Sequence, residues 1–170
     1  MEKLYPASAV ANFFIKKNNA DPSGDLTHLK LQKLLYYAQG WFLANYDRPL
    51  FEDNIEAWRY GPVVHSIYSR FRGSGDSPIQ KPITAPFYSE GQVRLAEPEI
   101  NPDDQVTVNF LNLFWDAFSK YDAWTLVNAT HSEESPWYAI SQSCNFHPHR
   151  AIIPIEMIEE YFKGLMPNRQ

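Results

Sequence analysis

The chain has 170 residues, of which 44% are hydrophobic and 15% aromatic, with a formal net charge of -5 and a pI near 5.5. That size and apolar content fit one compact domain with ample material for a core, and they exclude extensive disorder. The acidic balance excludes a general nucleic-acid binder, whose affinity rests on clustered Lys and Arg, and it suits a basic protein partner better.

A lone cysteine, Cys144, leaves no internal disulfide framework and fits a reducing compartment, so the cytoplasm is the expected location. The N-terminus lacks a basic start followed by an apolar stretch, and no run is long enough to span a bilayer, so neither secretion nor insertion is expected. In chain order, residues 7–17 read as a first helix with Val10, Phe13 and Phe14 on one face. A polar loop rich in turn formers, residues 18–25, ends it.

Thr27 is placed to cap the next helix, which runs to about Asn45 with Leu31, Leu34, Leu35, Ala38, Trp41 and Phe42 on one face. A second row, Leu29, Tyr36 and Leu43, points away from the first. The helix is therefore either central and wrapped by others, or it offers its second face to a partner. Lys30, Lys33 and Tyr37 fall between the rows, on the expected polar flank. After a turn at Asp47-Arg48-Pro49, residues 55–60 alternate as a short strand, and Gly61-Pro62 reads as the start of a new helix burying Val64, Ile67, Tyr68 and Phe71.

Residues 79–102 are rich in proline, with a small hairpin expected where Phe87-Tyr88 and Val93-Arg94-Leu95 flank Ser89-Glu90-Gly91-Gln92. Asp103 or Asp104 opens a helix whose stripe, Val106, Phe110, Leu113, Phe114, Ala117 and Tyr121, is expected to pack firmly. Asp122 caps a short helix ending at Thr130, and Ser135-Pro136 starts another at Trp137. Pro154 begins a terminal helix, about residues 154–165, carrying Ile155, Ile158, Phe162 and Leu165 inward. No repeat or linker divides the chain, so the expectation is one domain over residues 1–170. Its class is mostly α, an α+β helical bundle with minor strand content and a short hairpin or extended insertion.

Four strings carry more than composition does. They are Leu31-Gln32-Lys33-Leu34-Leu35-Tyr36-Tyr37-Ala38, Pro49-Leu50-Phe51, Ala57-Trp58-Arg59-Tyr60-Gly61-Pro62-Val63 and Thr130-His131-Ser132-Glu133-Glu134-Ser135-Pro136-Trp137. In this order they resemble the L-x-K-L-x-Y-x-A, P-L-F, A-W-x-x-G-P-V and T-H-x-x-x-P-W elements of the Panacea domain, the SocA-like and GepA-like family of bacterial and prophage antitoxins. The likeness covers about residues 4–137. It implies an antitoxin that neutralises a cognate protein toxin by direct binding, without catalysis, cofactor or metal. In one SocA-like branch the resemblance implies instead an adaptor that delivers the toxin to an ATP-dependent cytoplasmic protease.

Lys33, Tyr36, Tyr37, Trp58, Arg59, Tyr60 and Trp137 are the candidate partner-binding residues. Tyr and Trp offer large contact area with few rotors, although the same rings also serve as core, and Lys33 or Arg59 can equally lie over neighbouring rings. His131 reads either as a catalytic or pH-sensitive imidazole or as a helix-terminal residue that positions Trp137. His147-x-His149 is half of a metal site without its other half, and no nucleophile context surrounds Cys144.

Overall fold

The computed structural model describes residues 4–147 and 150–167. Helices take up 49% and strands 14%, which makes the fold mostly α with minor strand content, as expected. The first helix, α1 (Ala7–Asn19), leads through a tight loop into α2 (His28–Tyr46). Asn18 holds that loop by accepting the Leu26 N–H on its side-chain oxygen at 3.0 Å. Thr27 caps α2 by accepting the Lys30 N–H at 3.2 Å, and Asp47 closes it in the left-handed region at φ 54°, returning its N–H to the Leu43 carbonyl.

Both apolar rows of α2 are used inside the fold. Leu31, Leu34, Leu35, Ala38 and Phe42 are fully buried, and so are Tyr36 and Leu43 from the opposite row. Helices on several sides cover it, the most extensively packed being α7 (Ile155–Leu165). Gly40 makes that approach feasible: a Cβ there would fall 2.2 Å from the Phe162 ring. Phe162 in turn sits edge-on to Tyr36, Tyr37 and Trp41, at 5.6, 6.0 and 5.3 Å between ring centroids. Helix α2 is thus the central wrapped helix of the two readings.

Polar side chains of α2 bind backbone rather than solvent. Gln39 accepts the Leu50 and Phe51 N–H groups and donates to the Phe51 carbonyl, which fixes Pro49-Leu50-Phe51 against the helix. Gln32 accepts the Val64 N–H at 2.8 Å and donates to its carbonyl. Lys33 donates to the Pro62 carbonyl at 2.8 Å. These bonds hold Gly61-Pro62 extended, so the expected helix start is a strand instead: β1 (Ile55–Trp58) pairs antiparallel with β2 (Gly61–Val64), and α3 (His65–Phe71) begins only after it. Pro62 is tolerated because β2 is the edge of the sheet. On its other side β1 pairs with β5 (Ala151–Ile152).

The expected hairpin is present as β3 (Ala85–Ser89) and β4 (Gln92–Ala96). Its turn residues Glu90 and Gly91 both have positive φ, as a two-residue hairpin turn of the primed type requires. Asn12 of α1 ties its base to the body by donating to the Ile83 and Pro98 carbonyls and accepting the Ile83 N–H. Beyond that clamp Tyr88, Val93 and Leu95 are exposed.

Helix α4 (Gln105–Phe118) is capped by Asp104, but its buried side differs from the expected stripe. Thr107, Leu111 and Phe114 face inward, with Phe110, Trp115 and Phe118 packed beside them. Val106, Leu113, Ala117 and Tyr121 are exposed. The apolar arc of this helix is broad, with Gln105, Asn109, Asn112 and Asp116 on the opposite side; within that arc the rings of Phe14 and Phe42, packed on Phe114, Trp115 and Phe110, select the buried face. Asp122 caps α5 (Ala123–Thr130) and Ser135 caps α6 (Pro136–Ser143), as expected. In α7, Ile158 and Phe162 are buried, whereas Ile155 and Leu165, on the same side but at the two ends of the helix, are exposed.

Candidate functional site

Three of the four sequence strings converge on the turn between β1 and β2, while Pro49-Leu50-Phe51 is held apart from it on Gln39. Trp58 and Gly61 pair across it, leaving Arg59 and Tyr60 as the two exposed turn residues. Gly61 has φ 101°, a conformation that side-chain-bearing residues rarely adopt. A Cβ there would also lie 2.7 Å from Thr130 Oγ1 and 3.0 Å from Lys33 Nζ. From the other side the indole N–H of Trp137 donates to the Trp58 carbonyl at 2.7 Å. Trp137 is held in turn by His131, whose ring lies on it at 3.9 Å between centroids, and by Ser135, which caps α6 and donates to the Thr130 carbonyl.

Lys33, Tyr36 and Trp137, which the sequence offers as partner-binding candidates, are interior. Lys33 and Trp137 support the turn from behind, whereas Tyr36 packs on Tyr37 and Phe162. Tyr37 is half-buried, its hydroxyl 3.4 Å from the Leu126 carbonyl, and Trp58 is half-buried with its indole N–H on Glu56. Of the seven candidates, Arg59 and Tyr60 are exposed. The Arg59 guanidinium lies over the Tyr60 ring at 5.4 Å, and Tyr60 meets Trp124 edge-on at 5.9 Å. Trp124 was not singled out in the sequence. It is 57% exposed on α5, and nothing in the sequence around it marks it. Arg59 and Tyr60 on the exposed turn, with Trp124 of α5 beside them, are of the residue types that dominate binding energy at protein interfaces.

Beside this turn opens a cleft of about 350 Å³ between α2, the β1–β2 hairpin and α3. Trp58, Tyr60, Tyr68 and Val63 form its walls, Arg59 stands at the rim, and His28, Gln32 and Lys33 contribute from α2. The expected polar flank of α2 is buried: Lys30 pairs with Asp25 at 2.6 Å and donates to the Ser119 carbonyl. Lys33 has no such carboxylate among the described residues. Complete burial pulls its amine down to about 7. Burial, and then the Lys33 charge, holds both His28 and His131 below the usual imidazole range. Burial pushes the Tyr36 and Tyr37 hydroxyls above the usual phenol range.

The His131 Nε2 is buried without a hydrogen-bond partner among the described residues, so this ring acts through its stack on Trp137. His149 lies outside the described residues, and among those described no group of three or more His, Cys, Asp or Glu is placed to hold a metal ion. No described helix is long and apolar enough to cross a membrane.

Comparison with known proteins finds one family over this region. Residues 31–138 match the family described as Antitoxin SocA-like, Panacea domain. The chain is 32% identical over 135 residues to Antitoxin SocA of Caulobacter vibrioides (strain NA1000 / CB15N), covering 79% of this chain and 70% of that protein. No solved structure matches.

Proposed function

This chain belongs to the SocA-like, Panacea-domain family of antitoxins, and on that footing we propose that it neutralises a cognate protein toxin in the cytoplasm by binding and covering it. The observation that carries this reading is the exposed Arg59–Tyr60 turn with Trp124 beside it, held in place by buried residues of all but one of the four family strings. The signature is thus spent mostly on presenting a surface. Lys33 and Gln32 fix the strand below the turn, Trp137 fixes its carbonyl, and Gly61 allows their close approach. A rigidly supported aromatic and cationic turn loses little conformational freedom on association, which raises affinity without added area.

The test is co-expression with the product of the neighbouring open reading frame, first shown to stop growth on its own. The native chain is expected to restore growth and to copurify with the toxin. Arg59→Ala, Tyr60→Ala and Trp124→Ala are expected to weaken both, each with stability unchanged within about 0.5 kcal/mol, as for exposed positions. Full protection by the triple variant would overturn the surface assignment. Protection accompanied by a shortened toxin half-life that depends on an ATP-dependent protease would replace covering by delivery.

A further inference from the structure

The cleft beside the turn has a one-sided chemistry. Among the described residues no carboxylate lines it, in a chain whose net charge is -5. Arg59 stands at its rim without a carboxylate partner among the described residues, and the Lys33 amine lies behind its floor with one hydrogen bond, to a carbonyl. Outside the lining, the Arg150 guanidinium lies over the Trp58 ring, 4.7 Å from its centre. Two acids stand outside the lining: Glu56, engaged by the Trp58 indole N–H at 2.8 Å, and the exposed Asp76, next in the chain to the lining residue Gly75. Trp58 and Tyr68, 4.6 Å apart at their centroids, make the wall apolar.

We propose that this cleft receives a carboxylate borne by an extended segment of the toxin, drawn in by Arg59 at the mouth and Lys33 behind the floor, with the neighbouring toxin side chain lying on the Trp58 and Tyr68 rings. The proposal rests on the antitoxin reading and names the chemistry of the partner. Its volume is at the small end of the range of about 300–1,000 Å³ for ligand pockets, which suits one or two side chains rather than a helix. A cation in a wholly buried position is screened little by water, and a cleft with low-dielectric walls concentrates its field on an incoming anion. Burial leaves the Lys33 amine near its titration point at neutral pH, so an anion in the cleft holds its proton in place.

Three capped tetrapeptides identical but for one group test this without the toxin: one with a Glu side chain, one with Gln in its place, and the Gln peptide with a free C-terminal carboxylate. The readout is the indole N–H resonance of Trp58, assigned with Trp58→Phe. A carboxylate peptide is expected to shift it, with affinity about tenfold or more above that of the amide peptide. Comparing the Glu and free-terminus peptides tells whether a side chain or a chain end is preferred. Arg59→Gln, an exposed substitution that leaves the fold intact, and Lys33→Met are each expected to remove the preference. Equal binding by acid and amide, no shift with either acid at about 10 mM, or an undiminished preference in Arg59→Gln would overturn the proposal. Neutralisation retained without carboxylate binding removes this inference alone, whereas carboxylate binding without neutralisation removes its assignment to a toxin.

Discussion

Lys33→Met is expected to stabilise the protein at neutral pH and to lose that advantage as the solution becomes alkaline. Lys33 is completely buried and has one hydrogen bond, to the Pro62 carbonyl, and no ion pair among the described residues. Its amine titrates near 7 in the fold against 10.5 for an ordinary lysine. Between those values the unfolded chain holds a proton that the folded chain has given up. Native stability therefore rises with pH across this window, by about 1.4 kcal/mol per pH unit for one proton. From pH 7 to about pH 9.5 the native protein should gain about 3 kcal/mol relative to the methionine variant, which has nothing to titrate at this position. Against the charge penalty removed, the variant loses a hydrogen bond worth about 1 kcal/mol. Urea unfolding of both proteins at intervals below pH 9.5, before tyrosine ionisation intervenes, measures the difference. Parallel curves, separated by the same amount within about 0.5 kcal/mol throughout, would refute the buried, unpaired amine.

Three further outcomes follow from the packing. Gly40→Ala drives a methyl into the Phe162 ring and should cost about 1–3 kcal/mol in thermal unfolding, part of it recovered by combining it with Phe162→Leu. Trp137→Phe removes the indole N–H from the Trp58 carbonyl and should cost about 2 kcal/mol, with faster hydrogen exchange at the Arg59 and Tyr60 amides; unchanged exchange there would contradict the supporting role. Acidification through pH 6.5 should destabilise the fold, because His28 and His131 stay neutral in it while their unfolded counterparts take up protons. His131→Phe, which keeps a ring on Trp137, should flatten that slope.

Local signals were legible where a residue acts on its own neighbourhood. Thr27, Asp104, Asp122 and Ser135 cap helices as their sequence positions announce, and Glu90-Gly91 makes the hairpin turn. The misread elements are those where two local outcomes are equally allowed and a distant group chooses. Proline is acceptable both at a helix start and on an edge strand, and Gln32 and Lys33, far away in sequence, select the strand. The α4 face was set by rings from α1 and α2. At the site, sequence named the exposed Arg59 and Tyr60 together with the residues beneath them, since aromatic character does not distinguish a support from a surface. Trp124 has no motif around it and became visible only through its exposure beside Tyr60.

The Asn12 clamp on Ile83 and Pro98 has an evolutionary consequence. One side chain of α1 anchors both ends of the β3–β4 excursion, Lys16 pairs with Glu97 just inside the clamp, and the hairpin beyond projects from the body with Tyr88, Val93 and Leu95 exposed. An arm held at its root in this way can be lengthened, shortened or exchanged without refolding the body, as a graft is changed while the stock is kept.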